Sequence, residues 1–239
     1  MAGHDPHSIR INDALRALRA LVADPDDTAQ VFRIIDALSG HNAERTVKRV
    51  RRSATGRTLL TDKPAILEKL LDRTTLEKLP ENTFGRAYLR FLDSEGITAE
   101  GLRQASIDGR RDAAKDTDPD LTFVRDRMRD THDLWHTVTG YKGDIIGEAS
   151  LLAFSFAQTW NPGVGAIVLT ALIRGNEPSV RKLIAGGFAR GVRSAWLPSV
   201  KWEELLHLPL ETVRARLGVG APVPYVPFRT AAFKPRQAA

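Results

Sequence analysis

Thr131-His-Asp-Leu-Trp-His-Thr-Val-Thr-Gly140-Tyr-Lys-Gly-Asp144-Ile-Ile-Gly-Glu148-Ala-Ser-Leu-Leu-Ala-Phe-Ser-Phe-Ala157 is the stretch on which the fold turns. Helical periodicity runs through it from Leu121 to residue 138 and stops at Gly140, a residue suited to ending a helix. Tyr141 to Asp144 makes a short turn, and Asp144 is placed to cap the next helix through its side chain. That second helix is apolar on several faces, with Ala149, Leu151, Leu152, Ala153, Phe154, Phe156 and Ala157. Such a helix is buried core, or else the wall of an apolar channel.

The pattern continues outward from this pair. Period-two alternation is almost missing, and helices are expected over 10–23, 28–38, 43–53, 64–71, 84–94, 98–106, 121–138, 145–160, 164–174, 178–185, 200–207 and 210–217. Thr28, Asp62-Lys-Pro64 and Asp118-Pro119 read as starts, and Gly40, Gly140 and Gly218 as stops. Gly186-Gly187 reads as a point of close approach for a second segment, or equally as hinge-free helix packing. The expected fold is all-α: a single-domain multi-helix bundle over 1–220, with a metal site between two consecutive helices. Pro222, Pro224 and Pro227, then Lys234 and Arg236, make 221–239 an extended, Pro-containing basic tail.

Composition narrows the chemistry. The 239 residues carry 35 Lys and Arg against 29 Asp and Glu, a formal charge of +6, and no Cys. Disulfides, thiolate metal sites and a cysteine nucleophile are therefore excluded, so a metal must be held by His and carboxylates. The basic balance points to anionic company: acidic lipid headgroups, an anionic substrate or nucleic acid. Aromatic residues make up 7% and no basic–aromatic pairing repeats, so no nucleic acid partner is expected. Arg45-Thr-Val-Lys-Arg-Val-Arg-Arg52 is the densest positive patch. It reads as a solvated helix face, or as a contact for an anionic membrane surface at around 1 kcal/mol per basic residue.

Asp13-Ala-Leu-Arg-Ala-Leu-Arg-Ala-Leu-Val22 is an amphipathic first helix rather than a signal or transit peptide, because acids crowd it and no apolar h-region precedes it. Gly163-Val-Gly-Ala-Ile-Val-Leu-Thr-Ala-Leu-Ile173, the longest apolar run, is about half the roughly 20 residues that span a bilayer. A soluble protein is expected, one that can sit on a membrane without crossing it.

Four of the six His residues are unremarkable: His4 and His7 near the start, His41 in a turn, His207 at a helix end. His132 and His136 differ. Positions i and i+4 of a helix fall about 40° apart, so both imidazoles can close on one metal ion. Asp133 is placed to be a third ligand, or an acceptor that fixes a ring tautomer. Glu148, in the first turn of the returning helix, is placed to complete the set. Two imidazoles with one or two carboxylates leave room for water or substrate, as a catalytic site needs, and also suit Fe2+. A zinc protease would carry Glu directly after the first His. Asp133 is one methylene shorter and does not reach the same water.

His132-Asp133-x-x-His136, eleven residues, then Glu148 resembles the zinc motif of the Coq-four family of coenzyme Q (ubiquinone) biosynthesis. Phe84-Gly-Arg-Ala-Tyr-Leu-Arg-Phe-Leu92, Arg125 to Met128, Ala153-Phe154 with Ala157-Gln158, and Trp202-Glu203 with Pro209-Leu210 are similar to family segments. The likeness covers roughly Pro64 to Leu217 (60–217 in domain terms), with the first sixty residues expected to match poorly. The resemblance implies His132, Asp133, His136 and Glu148 as ligands of one divalent metal, Zn2+ first, with Fe2+ or Mn2+ as other candidates. Glu148 and Asp133 are the candidate catalytic carboxylates. It further implies a polyprenyl-hydroxybenzoate substrate that loses its ring carboxylate in an oxidative decarboxylation. The alternative is a non-catalytic lipid-binding scaffold that organises the quinone biosynthesis complex. Implied partners are a polyprenyl-phenol lipid, other quinone biosynthesis proteins and a second copy in a homodimer. The implied location is cytoplasmic, peripheral on the inner face of the membrane, or on the matrix side of the mitochondrial inner membrane in a eukaryote.

Overall fold

The computed structural model describes residues 8–25, 27–98, 101, 104 and 118–229. Among them are thirteen α-helices and no strand. These are α1 (Ile11–Ala23), α2 (Thr28–Leu38), α3 (Asn42–Val50), α4 (Ala54–Asp62), α5 (Ile66–Leu71), α6 (Arg73–Glu77) and α7 (Phe84–Glu95). After them come α8 (Pro119–Asp130), α9 (His132–Thr139), α10 (Ile145–Thr159), α11 (Pro162–Arg174), α12 (Pro178–Arg193) and α13 (Leu210–Leu217). The all-α expectation holds. Most of the helix expected over 98–106 lies outside the described residues, as do His4, His7, Lys234 and Arg236.

Contacts group the described residues into two compact units, each built from segments distant in sequence. The first takes the described parts of Met1–Thr46, Asp144–Arg193 and Val223–Phe233. Ala153, Val164, Val168 and Ile184 form one core there, and Ala17, Ile34 and Ile167 another. Asn161 ties the unit's polar interior together. Its side chain caps α11 by accepting from the Gly163 and Val164 amides, and its Nδ2 donates to Ser39 Oγ and Asn42 Oδ1. Buried amides satisfied in this way specify one arrangement of the helices they join.

The second unit takes the described parts of Val47–Gly143 and Ser194–Pro222. Phe84, Tyr88, Leu134, Leu197 and Trp202 are among its fully buried side chains. Arg127 crosses its interior to Glu203 with two bonds of 2.6 and 2.7 Å, and adds one of 2.9 Å to the Val200 carbonyl.

Several expected boundaries move for local reasons. The helix expected over 121–138 is two helices that meet at Thr131, whose φ and ψ are −95° and 3°. The Thr131 hydroxyl donates to the Arg127 carbonyl at 2.8 Å, a back-bond that bends helices. The helix expected over 43–53 ends at Val50, because Ser53 accepts from the Gly56 amide and starts α4, which the periodicity did not reveal. The α2 cap is Asp27 rather than Thr28. Asp62-Lys-Pro64 closes α4, with Lys63 left-handed at φ 42°, rather than opening the next helix. The 200–207 segment forms a 3-10 turn at Trp202–Glu204 instead of a helix. The segment expected over 178–185 runs on to Arg193, straight through Gly186-Gly187. The close approach is at Gly191, where an added Cβ would stand 2.5 Å from the Phe154 carbonyl oxygen, whereas nothing lies within 4 Å of one at Gly186.

Candidate metal centre

α9 carries the two histidines. With His132 at its start and His136 one turn on, their ring centroids lie 4.7 Å apart, edge to face. His136 is buried at 1% exposure, and its Nδ1 sits 2.9 Å from the Tyr141 carbonyl oxygen. A carbonyl only accepts, so Nδ1 carries the proton and Nε2 is the nitrogen left for a metal. Phe91 of α7 stacks on the same ring at 5.0 Å and 16° between planes. The ring is thus fixed from both its edge and its face.

α9 ends where the sequence places its end. Gly140 is left-handed at φ 80°, and its amide closes on the His136 carbonyl at 2.8 Å. Arg214 secures the same end from α13. Its Nε donates to the Val138 carbonyl at 3.0 Å and a terminal nitrogen to that of Thr137 at 3.3 Å. These carbonyls lack helical partners, and a buried guanidinium satisfies them and complements the helix dipole.

Asp144 then starts α10 as expected, accepting from the Ile146 and Gly147 amides. It is 1% exposed and also accepts from Tyr225 Oη at 2.6 Å and the Phe228 amide at 3.0 Å. The tail, without regular secondary structure over 222–229, is therefore tied to the cap of the helix bearing Glu148.

Among the described residues, His132, His136 and Glu148 each offer one ligand atom, and all three atoms lie within 4.8 Å of one another. Asp133 is not among the three. Its carboxylate stands 3.3 Å from His132 Nδ1, where it serves to hold that ring. Two imidazoles and one carboxylate suit Zn2+ or Fe2+ and leave coordination positions open. The fixed tautomer of His136 fits such a role.

Two further features were not read from the sequence. Arg214 reaches α9 across 76 residues, which no spacing rule reveals. Tyr88 of α7 is fully buried, and its hydroxyl has no hydrogen-bond partner among the described residues. Burial raises the pKa of this phenol, and the carboxylates of Asp133 and Asp130 raise it further.

The family described as coenzyme Q (ubiquinone) biosynthesis protein Coq4 matches residues 10–223. The chain belongs to that family. The match takes in the N-terminal stretch that was expected to fit poorly. Among Coq4 relatives, the mitochondrial ubiquinone biosynthesis protein of Talaromyces stipitatus is 33% identical over 218 residues, covering 89% of this chain and 67% of that protein. The Botryotinia fuckeliana protein is 33% identical over 177 residues, covering 72% and 59% respectively. The chain thus spans between 59% and 67% of the length of these two Coq4 relatives. A Nostoc punctiforme protein of solved structure shares the fold at a TM-score of 0.60, with 24% identity over 90% of this chain and all of that one.

Proposed function

We propose that this Coq4 family member acts in ubiquinone biosynthesis as a metal-dependent decarboxylase of a polyprenyl-hydroxybenzoate. The convergence of His132, His136 and Glu148 carries the reading. A divalent ion held by these residues, Zn2+ or Fe2+, would supply a Lewis acid for charge developing on the ring carboxylate or phenolate. Asp133 orients His132, and the Tyr141 carbonyl keeps the proton of His136 on Nδ1. Both devices preset the ligands, so little is reorganised during reaction. The ring carbon–carboxylate bond breaks and carbon dioxide leaves. The hydroxyl that replaces it takes one oxygen of dioxygen, and the other is reduced to water by an external two-electron donor.

Zn2+- or Fe2+-loaded protein, given a short-chain prenyl 4-hydroxybenzoate, dioxygen and a reductant, is expected to release carbon dioxide. Chelation should remove the activity and re-addition of metal restore it. Release that survives complete chelation would refute the reading.

Peripheral membrane association, with other quinone biosynthesis proteins and a second copy as partners, belongs to the same proposal. No helix among the described residues is long and apolar enough to cross a membrane. The solvent face of α11 supports surface binding instead. Pro162, Leu169 and Ile173 are exposed there, Leu169 at 58% and Ile173 at 68%, and no charge interrupts that face before Arg174. An apolar helix face of this kind lies in a headgroup boundary. Replacing both Leu169 and Ile173 with Glu should lower binding to anionic vesicles by about tenfold or more, since each side chain contributes on the order of 1.5 kcal/mol on burial. Unchanged co-sedimentation would place the contact elsewhere. The role as a non-catalytic lipid scaffold is the second reading, and this face is the observation that favours it.

A further inference from the structure

Tyr88 holds an unused donor beside the candidate metal centre. A buried hydroxyl without a partner is destabilising, and native proteins seldom keep one without a use. Phe91, three residues later on the same face of α7, stacks on His136. On α9, Asp133 lies three residues before His136, so it shares that residue's face. The C-terminal end of α7 lies by the turn after α9, where a Cβ added at Gly143 would stand 2.8 Å from Glu95 Oε2. The two helices therefore run in the same direction, and the pair Tyr88 and Phe91 is set against the pair Asp133 and His136. The influence of the Asp133 carboxylate on the Tyr88 phenol agrees with this placement. Asp130 acts on the same phenol, but Arg129 already donates to its carboxylate from Nε at 3.0 Å.

We propose that Tyr88 Oη donates a hydrogen bond to the Asp133 carboxylate in the metal-loaded protein, which makes Tyr88 a positioning residue of the metal centre. The inference rests on the metal site proposed above. Carboxylates around a bound metal are themselves hydrogen-bonded, and losing such a partner lowers metal affinity by roughly 10–100-fold. Tyr88 is fully buried, so its hydroxyl acts on the carboxylate and need not touch the substrate.

The test titrates full-length protein with Zn2+ against a competing chelator, and with Co2+ for its absorption spectrum. Tyr88→Phe is expected to weaken Zn2+ binding about 10–100-fold and to shift the Co2+ bands. The metal-free variant should melt at the same temperature or higher, because the lost hydroxyl had no partner. In an Asp133→Ala background, Tyr88→Phe should change affinity by no more than about twofold, since coupled residues are not additive. Unchanged Zn2+ affinity in the otherwise native protein would overturn the inference. Equal losses in both backgrounds, or a metal-free variant that melts earlier, would overturn it too. Tyr88→Phe protein that binds metal normally but holds the substrate ring weakly would assign the hydroxyl to the ring and likewise overturn it. Native protein that takes up neither Zn2+ nor Co2+ would refute the metal site itself, and this inference with it.

Discussion

Glu148→Ala is expected to lower Zn2+ affinity by at least about 100-fold, more than the loss of a supporting residue costs, and to remove turnover with it. Glu148 is the one carboxylate among the three groups whose ligand atoms converge. Two imidazoles four residues apart remain in the variant, and two ligands make a poor site for a metal that takes three or four from protein. The fold should survive. Glu148 is half-buried in the first turn of α10, where an acidic side chain gains about 0.3–1 kcal/mol from the helix dipole and alanine is a strong helix former. The metal-free variant should therefore melt close to the metal-free native protein. Glu148→Asp keeps the charge but shortens the reach, and should retain part of the affinity. Isothermal titration with Zn2+ and calorimetric melting separate loss of the site from loss of the fold. Native affinity in Glu148→Ala would remove Glu148 from the centre.

Glu203→Ala is expected to cost about 3–5 kcal/mol of stability, read as a lower urea midpoint. Arg127 and Glu203 have side-chain exposures of 4% and 9%, so the pair lies away from water. Removing the carboxylate leaves a buried guanidinium with only the Val200 carbonyl among these partners. A buried charge stripped of its partner is far costlier than the pair itself is favourable. The double variant Arg127→Met with Glu203→Leu should consequently recover much of the loss. Metal affinity should fall less than stability, because neither residue is among the candidate ligands. Arg127 still reaches the centre indirectly, since its carbonyl accepts the hydroxyl of Thr131 at the joint between α8 and α9. A midpoint unchanged by Glu203→Ala would show the pair to be dispensable.

What the sequence disclosed is what local geometry controls. His132 and His136 share a face because a helix repeats every 3.6 residues, and Gly140 and Asp144 end and start helices through bonds within a few residues. Glu148 lies sixteen residues from His132, close enough for one turn to return it. The family resemblance was likewise carried by the short motif from His132 to Glu148.

What stayed hidden depends on distant partners or on competition within the backbone. Thr131 leaves the helical region at ψ 3° while both its amide and its hydroxyl bond the Arg127 carbonyl, and a hydrophobic pattern is blind to that local geometry. Thr-Gly-Arg-Thr in α4 masks the helix that buries Leu59 and Leu60. Trp160 closes α10 in a left-handed conformation, at φ 52°, that its residue type would not suggest. Phe84 to Leu92 reads as a helix and as a family-like segment, and nothing in its sequence marks a part in the site. In the structure that segment supplies the Phe91 ring against His136 and the buried Tyr88 hydroxyl. Glu203, another family-like position, proves to be the partner of Arg127 across 76 residues.

In the proposed function, the metal centre serves removal of the ring carboxylate in ubiquinone biosynthesis. That role is tested most directly by mass spectrometry of quinone lipids in a strain lacking this protein, with and without the Glu148→Ala form. A carboxylated polyprenyl-phenol should build up in both cultures and disappear when the native protein is restored. Full recovery of ubiquinone by Glu148→Ala would contradict the claim and leave the protein a scaffold.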